Sequence, residues 1–156
     1  MSNRDWLNMI AQEAATAGHI FAEMAACEAA LESAWGQSKL ATEAKNLFGM
    51  KQHIHPIFGT LPLPTREFLN DQWVEVTAKW IIYPTFAACF SDRMATLIRL
   101  SDNYPHYAMA LSAPDSQTYI NEVSQSWSTD PDRAAKVTAI YNQYFLNPVD
   151  LTAQDI

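Results

Sequence analysis

The amino-acid sequence predicts one α+β domain, mainly helical, with a small β-hairpin lobe. Apolar residues recur at three and four positions through most of the chain, which is the helical period. One stretch, from Ile57 to Thr77, instead collects prolines, β-branched and aromatic residues around a polar pivot. At 156 residues and 49% hydrophobic, the chain can bury one core, so residues 1–156 are expected to form a single domain.

Arg4 to Ala17 reads as the first helix, with Trp6, Leu7, Ile10, Ala14 and Ala17 at helical spacing behind a Ser2/Asn3 cap. Gly18 ends it. Ile20 to Trp35 is rich in Ala, Met, Leu and Glu and lacks Gly and Pro, so it reads as a central helix of about four turns. Gly36 terminates that helix, and Ser38 to Lys45 makes a short one. Asn46-Leu47-Phe48-Gly49 is a turn whose glycine is free to take positive φ. In the hairpin stretch Asn70-Asp71-Gln72 is the pivot, while Lys79 to Tyr83 fits more than one element. Ser91-Asp92 caps a helix running to about Asp102, with Met94, Leu97, Ile98 and Leu100 as its apolar residues, and Asn103-Tyr104-Pro105 breaks it. A short helix around Tyr107 to Ser112 and another from Ser116 to Trp127 follow. Asp130-Pro131 offers a cap and a first-turn proline for a last helix through Ala134, Val137, Ile140, Tyr141 and Tyr144. From about Asn147 the periodicity fades into an expected loosely ordered tail.

Charge and composition exclude several functions. Ten Lys and Arg against 17 Asp and Glu leave a net charge of −7, which argues against nucleic acid, because such binders neutralise phosphates with cations. It also disfavours, more weakly, any strongly anionic polymer. No stretch approaches a membrane span, and Met1-Ser2-Asn3-Arg4-Asp5-Trp6 lacks the basic start and apolar run of a secretory peptide. The expectation is therefore cytoplasmic synthesis without a signal peptide, and no membrane insertion. Cys27 and Cys89 show no CxxC spacing and are expected as buried thiols, with pairing left open. His53 and His55 would face one side of a strand, but no third ligand lies near them and His19 and His106 stand apart. No metal and no cofactor is expected.

Carboxylates are the remaining chemistry. Glu32 is surrounded in sequence by Ala29, Leu31 and Trp35, one turn before the helix ends, where a change of chain direction opens a concave surface. A carboxyl group among apolar side chains resists ionisation and suits a proton donor. Glu28, one turn back on the same face, is the weaker competitor. In an Ala-rich helix either residue would otherwise be a solvated face.

The neighbouring residues favour the first reading. Ala26-Cys27-Glu28-Ala29-Ala30-Leu31-Glu32-Ser33-Ala34-Trp35-Gly36-Gln37-Ser38, followed by Asn46-Leu47-Phe48-Gly49-Met50-Lys51, closely resembles the AALESGWGxS…NLFGIK signature of glycoside hydrolase family 73 glucosaminidases. That family includes bacterial autolysins and the wall-cutting domain of a flagellar rod assembly protein. Thr65-Arg66-Glu67-Phe68 is similar to the family TxEY strand, Trp80-Ile81-Ile82-Tyr83 to FRxY, and Trp127-Ser128-Thr129-Asp130-Pro131 to YATDP, so the resemblance spans roughly residues 5 to 146.

The resemblance implies a lysozyme-like domain and an endo-β-N-acetylglucosaminidase that cuts the GlcNAc-MurNAc strand of peptidoglycan. Glu32 maps onto the general acid and Glu67 onto a second carboxylate, the pair that glycoside cleavage requires. Asn46, Phe48, Tyr83 and Trp127 are then expected at the substrate. Against this, Phe48 also reads as core, Asn46 as a turn cap, Tyr83 as a buried tyrosine with a backbone partner, Trp127 as core filling and Glu67 as an exposed hairpin charge. Trp127 and Ile81 replace the family tyrosine and arginine; an indole donates only, so a role needing a phenol in proton transfer does not carry over. A lytic transglycosylase and a non-catalytic wall-binding module are the alternatives. The expected partner is peptidoglycan, acted on by a monomer. A wall substrate without a leader implies a phage endolysin, an injected antibacterial toxin with a cognate inhibitor protein, or a sequence shortened by loss of its native leader.

Overall fold

The computed structural model of the protein describes residues 1–52 and 58–146. His53, His55 and the tail from Asn147 lie outside the described residues. Ser2 begins the first helix as expected: its Oγ accepts from Asp5 N at 3.0 Å, and α1 (Asn3–Thr16) buries Leu7, Ile10 and Ala14. The next helix is the middle of the core. In α2 (Ala22–Glu32) every residue from Met24 to Ala30 is buried. Its run of alanines lets α1 and α7 pack closely against it.

This central helix is shorter than its composition suggests. Phe21 precedes it at φ 47, and Ala34, Trp35 and Gly36 follow it at φ 51, 58 and 78, so Trp35 lies in a left-handed turn and not in the helix. Ser33 supplies the reason. Its hydroxyl donates to Ala29 O at 2.6 Å and accepts from Gly36 N at 2.9 Å, which competes with continued helix. Trp35 then packs on Trp6 and Tyr144, with ring centroids 6.0 and 5.5 Å away.

After α3 (Lys39–Ala44), capped by Ser38, the chain enters a two-stranded antiparallel hairpin of β1 (Thr60–Leu69) and β2 (Gln72–Ile81). Asn70 and Asp71, at φ 51 and 62, form the two-residue turn that a twisted hairpin prefers. Lys79 to Ile81, left open by the sequence, belongs to β2. Main-chain bonds from Gln52 N to Lys79 O (2.9 Å) and Ile81 N to Met50 O (3.0 Å) fasten the hairpin base to the loop after α3.

Three further helix starts differ from expectation. The helix α4 (Phe86–Leu100) begins at Phe86 and not at Ser91, because Thr85 Oγ1 accepts from Ala88 N and caps it earlier. Pro105 opens α5 (Pro105–Leu111) as its first residue instead of only breaking the preceding helix. After α6 (Ser116–Trp127), Asp130 accepts from Asp132 N at 2.9 Å in a local turn, and α7 (Arg133–Tyr144) starts only at Arg133. Cys27 and Cys89 are free, buried thiols, and burial pushes the Cys89 thiol up to about 12. Among the described residues no helix is long and apolar enough to cross a membrane.

Gly36 offers a check on this packing. A Cβ there would lie 2.7 Å from Trp6 Nε1, whereas one at Gly18, also left-handed at φ 76, would meet nothing within 4 Å. Denaturant unfolding should show Gly36→Ala losing about 2 kcal/mol or more and Gly18→Ala about 1 kcal/mol. Equal losses would mean that Trp6 moves aside without cost.

Candidate active site

Beneath the surface where α2 ends, one carboxylate gathers two arginines. Glu28 is fully buried; its Oε2 accepts from Arg93 Nη2 at 2.7 Å and from Arg133 Nη2 at 2.8 Å. Its Oε1 accepts from Arg93 Nη1 at 3.1 Å and from the Tyr119 hydroxyl. Burial pushes the carboxyl up, but the facing guanidinium groups of Arg93 and Arg133 outweigh it and hold Glu28 well below the usual range. His19 completes the group. Its Nδ1 lies 2.7 Å from the Ile20 carbonyl, which can only accept, so Nδ1 carries the proton and Nε2 accepts from Arg93 Nη1 at 3.2 Å. Burial first, then the Arg93 charge, lowers His19 to about 4.

The sequence reading ranked Glu28 second and passed over both arginines. A signal existed: Arg93 sits on the buried stripe of α4 between Phe90 and Leu97, and Arg133 lies one turn before buried Val137 in α7. A cation on the apolar face of a helix calls for a buried anion.

Glu32, the last residue of α2, stands at the edge of this group. Its side chain keeps 26% of its exposure, and Arg133 Nε donates to its Oε1 at 2.9 Å. Its Oε2 makes no hydrogen bond among the described residues. The expected apolar surround is therefore corrected: a buried guanidinium grips one oxygen. The same Arg133 donates from Nη1 to Ser124 Oγ at 2.9 Å.

Glu67 lies on the partly covered face of the hairpin with Thr65 and opposite Val74, while Arg66 and Phe68 on the other face are exposed. Its side chain, 42% exposed, pairs with Lys51 Nζ at 3.5 Å, and that ammonium also lies 5.3 Å from the Trp80 ring centre. Trp127, the last residue of α6, is part-buried and lines a concavity of about 770 Å³ formed by residues 124–131 and Ala134. Arg93 Cζ lies 4.2 Å from the Trp127 ring and 4.4 Å from the Phe48 ring, the two rings standing edge to face at 84°.

The other expected substrate residues lie deeper. Phe48 is buried against Phe90 and Arg93. Asn46 is buried, with Nδ2 donating to Met50 O (2.9 Å) and Ile81 O (3.0 Å) and Oδ1 accepting from Met50 N (2.9 Å), so it ties the loop to the hairpin base. Buried Tyr83 donates to Asp92, a carboxylate and not the backbone partner considered from sequence; burial and that bond push its phenol up. Among the described residues no three His, Cys, Asp or Glu side chains group to hold a metal ion, and the His53/His55 pair lies outside them.

A model of the glucosaminidase family, described as mannosyl-glycoprotein endo-beta-N-acetylglucosaminidase, matches residues 8–146. The chain belongs to the glucosaminidase family. Among similar proteins, this glucosaminidase domain is 32% identical over 134 residues to the exo-glucosaminidase LytG of Bacillus subtilis (strain 168), covering 85% of the chain and 47% of that protein. It is 30% identical to a probable N-acetylmuramidase of Lactococcus lactis subsp. cremoris, covering 90% of the chain and 32% of that protein. The chain thus spans half or less of these relatives. The glycoside hydrolase domain of Salmonella typhimurium FlgJ superposes with a TM-score of 0.70 at 26% identity, covering 91% of this chain and 97% of that one. The catalytic domain of the Listeria monocytogenes autolysin Auto shares the fold, with a TM-score of 0.77 at 23% identity over 92% of this chain and 85% of that one.

The buried group makes stability depend on pH. As pH falls from 6.5 towards 4, the unfolded chain takes up a proton at His19 that the folded protein refuses, so stability should fall by up to about 3 kcal/mol. Below about 4.5 protonation of Glu28 in the unfolded chain adds a further loss, since its native carboxyl is held low. Unfolding curves at several pH values should therefore be flatter between pH 6.5 and 4 for His19→Gln than for wild type. Parallel curves would show that His19 is not held neutral.

Proposed function

We propose that the protein is a peptidoglycan hydrolase, an endo-β-N-acetylglucosaminidase with Glu32 as general acid and Glu67 as the second carboxylate. The carrying observation is the setting of Glu32, whose sequence position resembles the family LES glutamate: one oxygen is held by Arg133, and the other makes no hydrogen bond among the described residues. Held by Oε1, the carboxyl can present Oε2 with its proton to the leaving glycosidic oxygen. Glu67, on the partly covered hairpin face, would activate water or stabilise the cationic sugar. Trp127, in the wall of the concavity, offers an indole for stacking on a sugar ring. Asn46, Phe48 and Tyr83 contribute by holding the loop, Arg93 and Asp92 in place. The names of the relatives support a wall glycan as substrate, although exo-glucosaminidase and N-acetylmuramidase denote different cuts.

Mass spectrometry of digested sacculi separates the readings. Reducing N-acetylglucosamine ends on oligosaccharide products are expected. Reducing N-acetylmuramic acid ends would indicate a muramidase, anhydro ends a lytic transglycosylase, release of single terminal sugars an exo-enzyme, and intact sacculi a binding module. Glu32→Gln should retain the fold and lose about 10³-fold in turnover, since an amide cannot donate the proton. Turnover within tenfold of wild type would sink that assignment. Glu67→Gln should lose less, about tenfold, because water partly replaces a stabiliser. Trp127→Tyr should keep most of the activity while Trp127→Ala raises KM. A large fall in melting temperature for Trp127→Ala with unchanged kinetics would return Trp127 to the core.

A further inference from the structure

We propose that Arg133 is the positioning residue for Glu32, and that Glu28 holds Arg133 and Arg93 together so that one buried carboxylate aligns both the acid and the Trp127 indole. This rests on the reading of Glu32 and Trp127 given above. Arg133 is 1% exposed and spends three separate nitrogens on three partners: Nε on Glu32, Nη1 on Ser124 and Nη2 on Glu28. A planar fork bound at three points cannot rotate, so the Glu32 oxygen that it grips is held in direction as well as in place. Ser124, from the wall of the concavity, and Glu28, from the core, are what keep that fork in plane.

Arg93 repeats the arrangement on the other side of the same carboxylate. Both of its Nη atoms bind Glu28 in a two-point contact, and Nη1 also meets Tyr119 Oη at 3.1 Å and His19 Nε2 at 3.2 Å. Its Nε has no hydrogen-bond partner among the described residues, and the guanidinium rests against the rings of Phe48 and Trp127. A desolvated cation against an indole is a strong directional contact, so Arg93 sets the plane of Trp127. The two arginines therefore have separable effects: Arg133 acts through the acid on the chemical step, and Arg93 acts through the indole on binding.

Kinetics on soluble, uncrosslinked glycan strands, with calorimetric binding of an N-acetylglucosamine tetramer, test this. Arg133→Lys keeps the charge but cannot make three directed bonds; it should lower kcat at least about tenfold and leave the tetramer Kd within about twofold. Ser124→Ala, a milder change that decides the matter if Arg133→Lys does not fold, should lower kcat about threefold with Kd unchanged. Arg93→Lys should do the reverse, raising Kd about tenfold with kcat within about threefold. Folded Arg133→Lys and Ser124→Ala with wild-type kcat overturn the inference. So do variants whose kcat and Kd worsen together in step with their melting temperatures, the signature of a merely structural role. A wild type that does not cleave the strands, or a Glu32→Gln as active as wild type, overturns the functional reading and this inference with it. Cleavage that requires Glu32 but is indifferent to Arg133 and Ser124 overturns the inference alone.

Discussion

The carboxylate of Glu28, buried without access to water, is the interaction on which the rest of the structure depends. It sits on α2 and receives Arg93 from α4, Tyr119 from α6 and Arg133 from α7, with His19 from the loop before α2 bound to Arg93. An ion in the core is costly unless its lone pairs are filled, and here both oxygens are. Removing one partner of such a group leaves an uncompensated charge, a loss on the order of 3–5 kcal/mol, so the four helices are bound into one arrangement by a single set of charges.

That arrangement reaches the surface through Glu32 and Trp127. Glu32 and Trp127 stand on different helices, α2 and α6, and each meets a guanidinium group, Arg133 from α7 on Glu32 and Arg93 from α4 on Trp127. The small side chains of α2 are the complement to this. With alanines at 25, 26, 29 and 30 buried, the neighbouring helices approach closely enough for arginine side chains to span the gap. Ser33 then ends α2 at Glu32, so Glu32 occupies the last turn at the surface while Glu28, one turn earlier, faces the core. Two glutamates four residues apart thus have opposite environments.

Much of the local structure was legible because its causes are local. Ser2 caps α1 through a bond to a backbone N–H three residues on, and Asn70 and Asp71 turn the hairpin with φ values that such residues tolerate. The displaced boundaries have local causes too, but competing ones. Ser91 reads as a cap in the sequence, whereas Thr85 caps α4 in the structure, with Phe86 and Cys89 packed against the core, and Ser33 ends a helix that composition alone would extend to Trp35.

By itself the sequence determined the helical class, the hairpin, and, through words of matching residues and spacing, the glucosaminidase family. The tertiary structure alone decided what these residues face: a guanidinium on Glu32, a lysine beside Glu67, an arginine against Trp127, and an inward role for Asn46, Phe48 and Tyr83. The physical reason is separation along the chain. Arg133 meets Glu28 and Glu32 across 105 and 101 residues, and Arg93 meets Glu28 across 65. Periodicity and capping act over one or two turns, so a contact between charges that distant leaves no pattern in the sequence beyond a cation placed where a hydrocarbon would be expected.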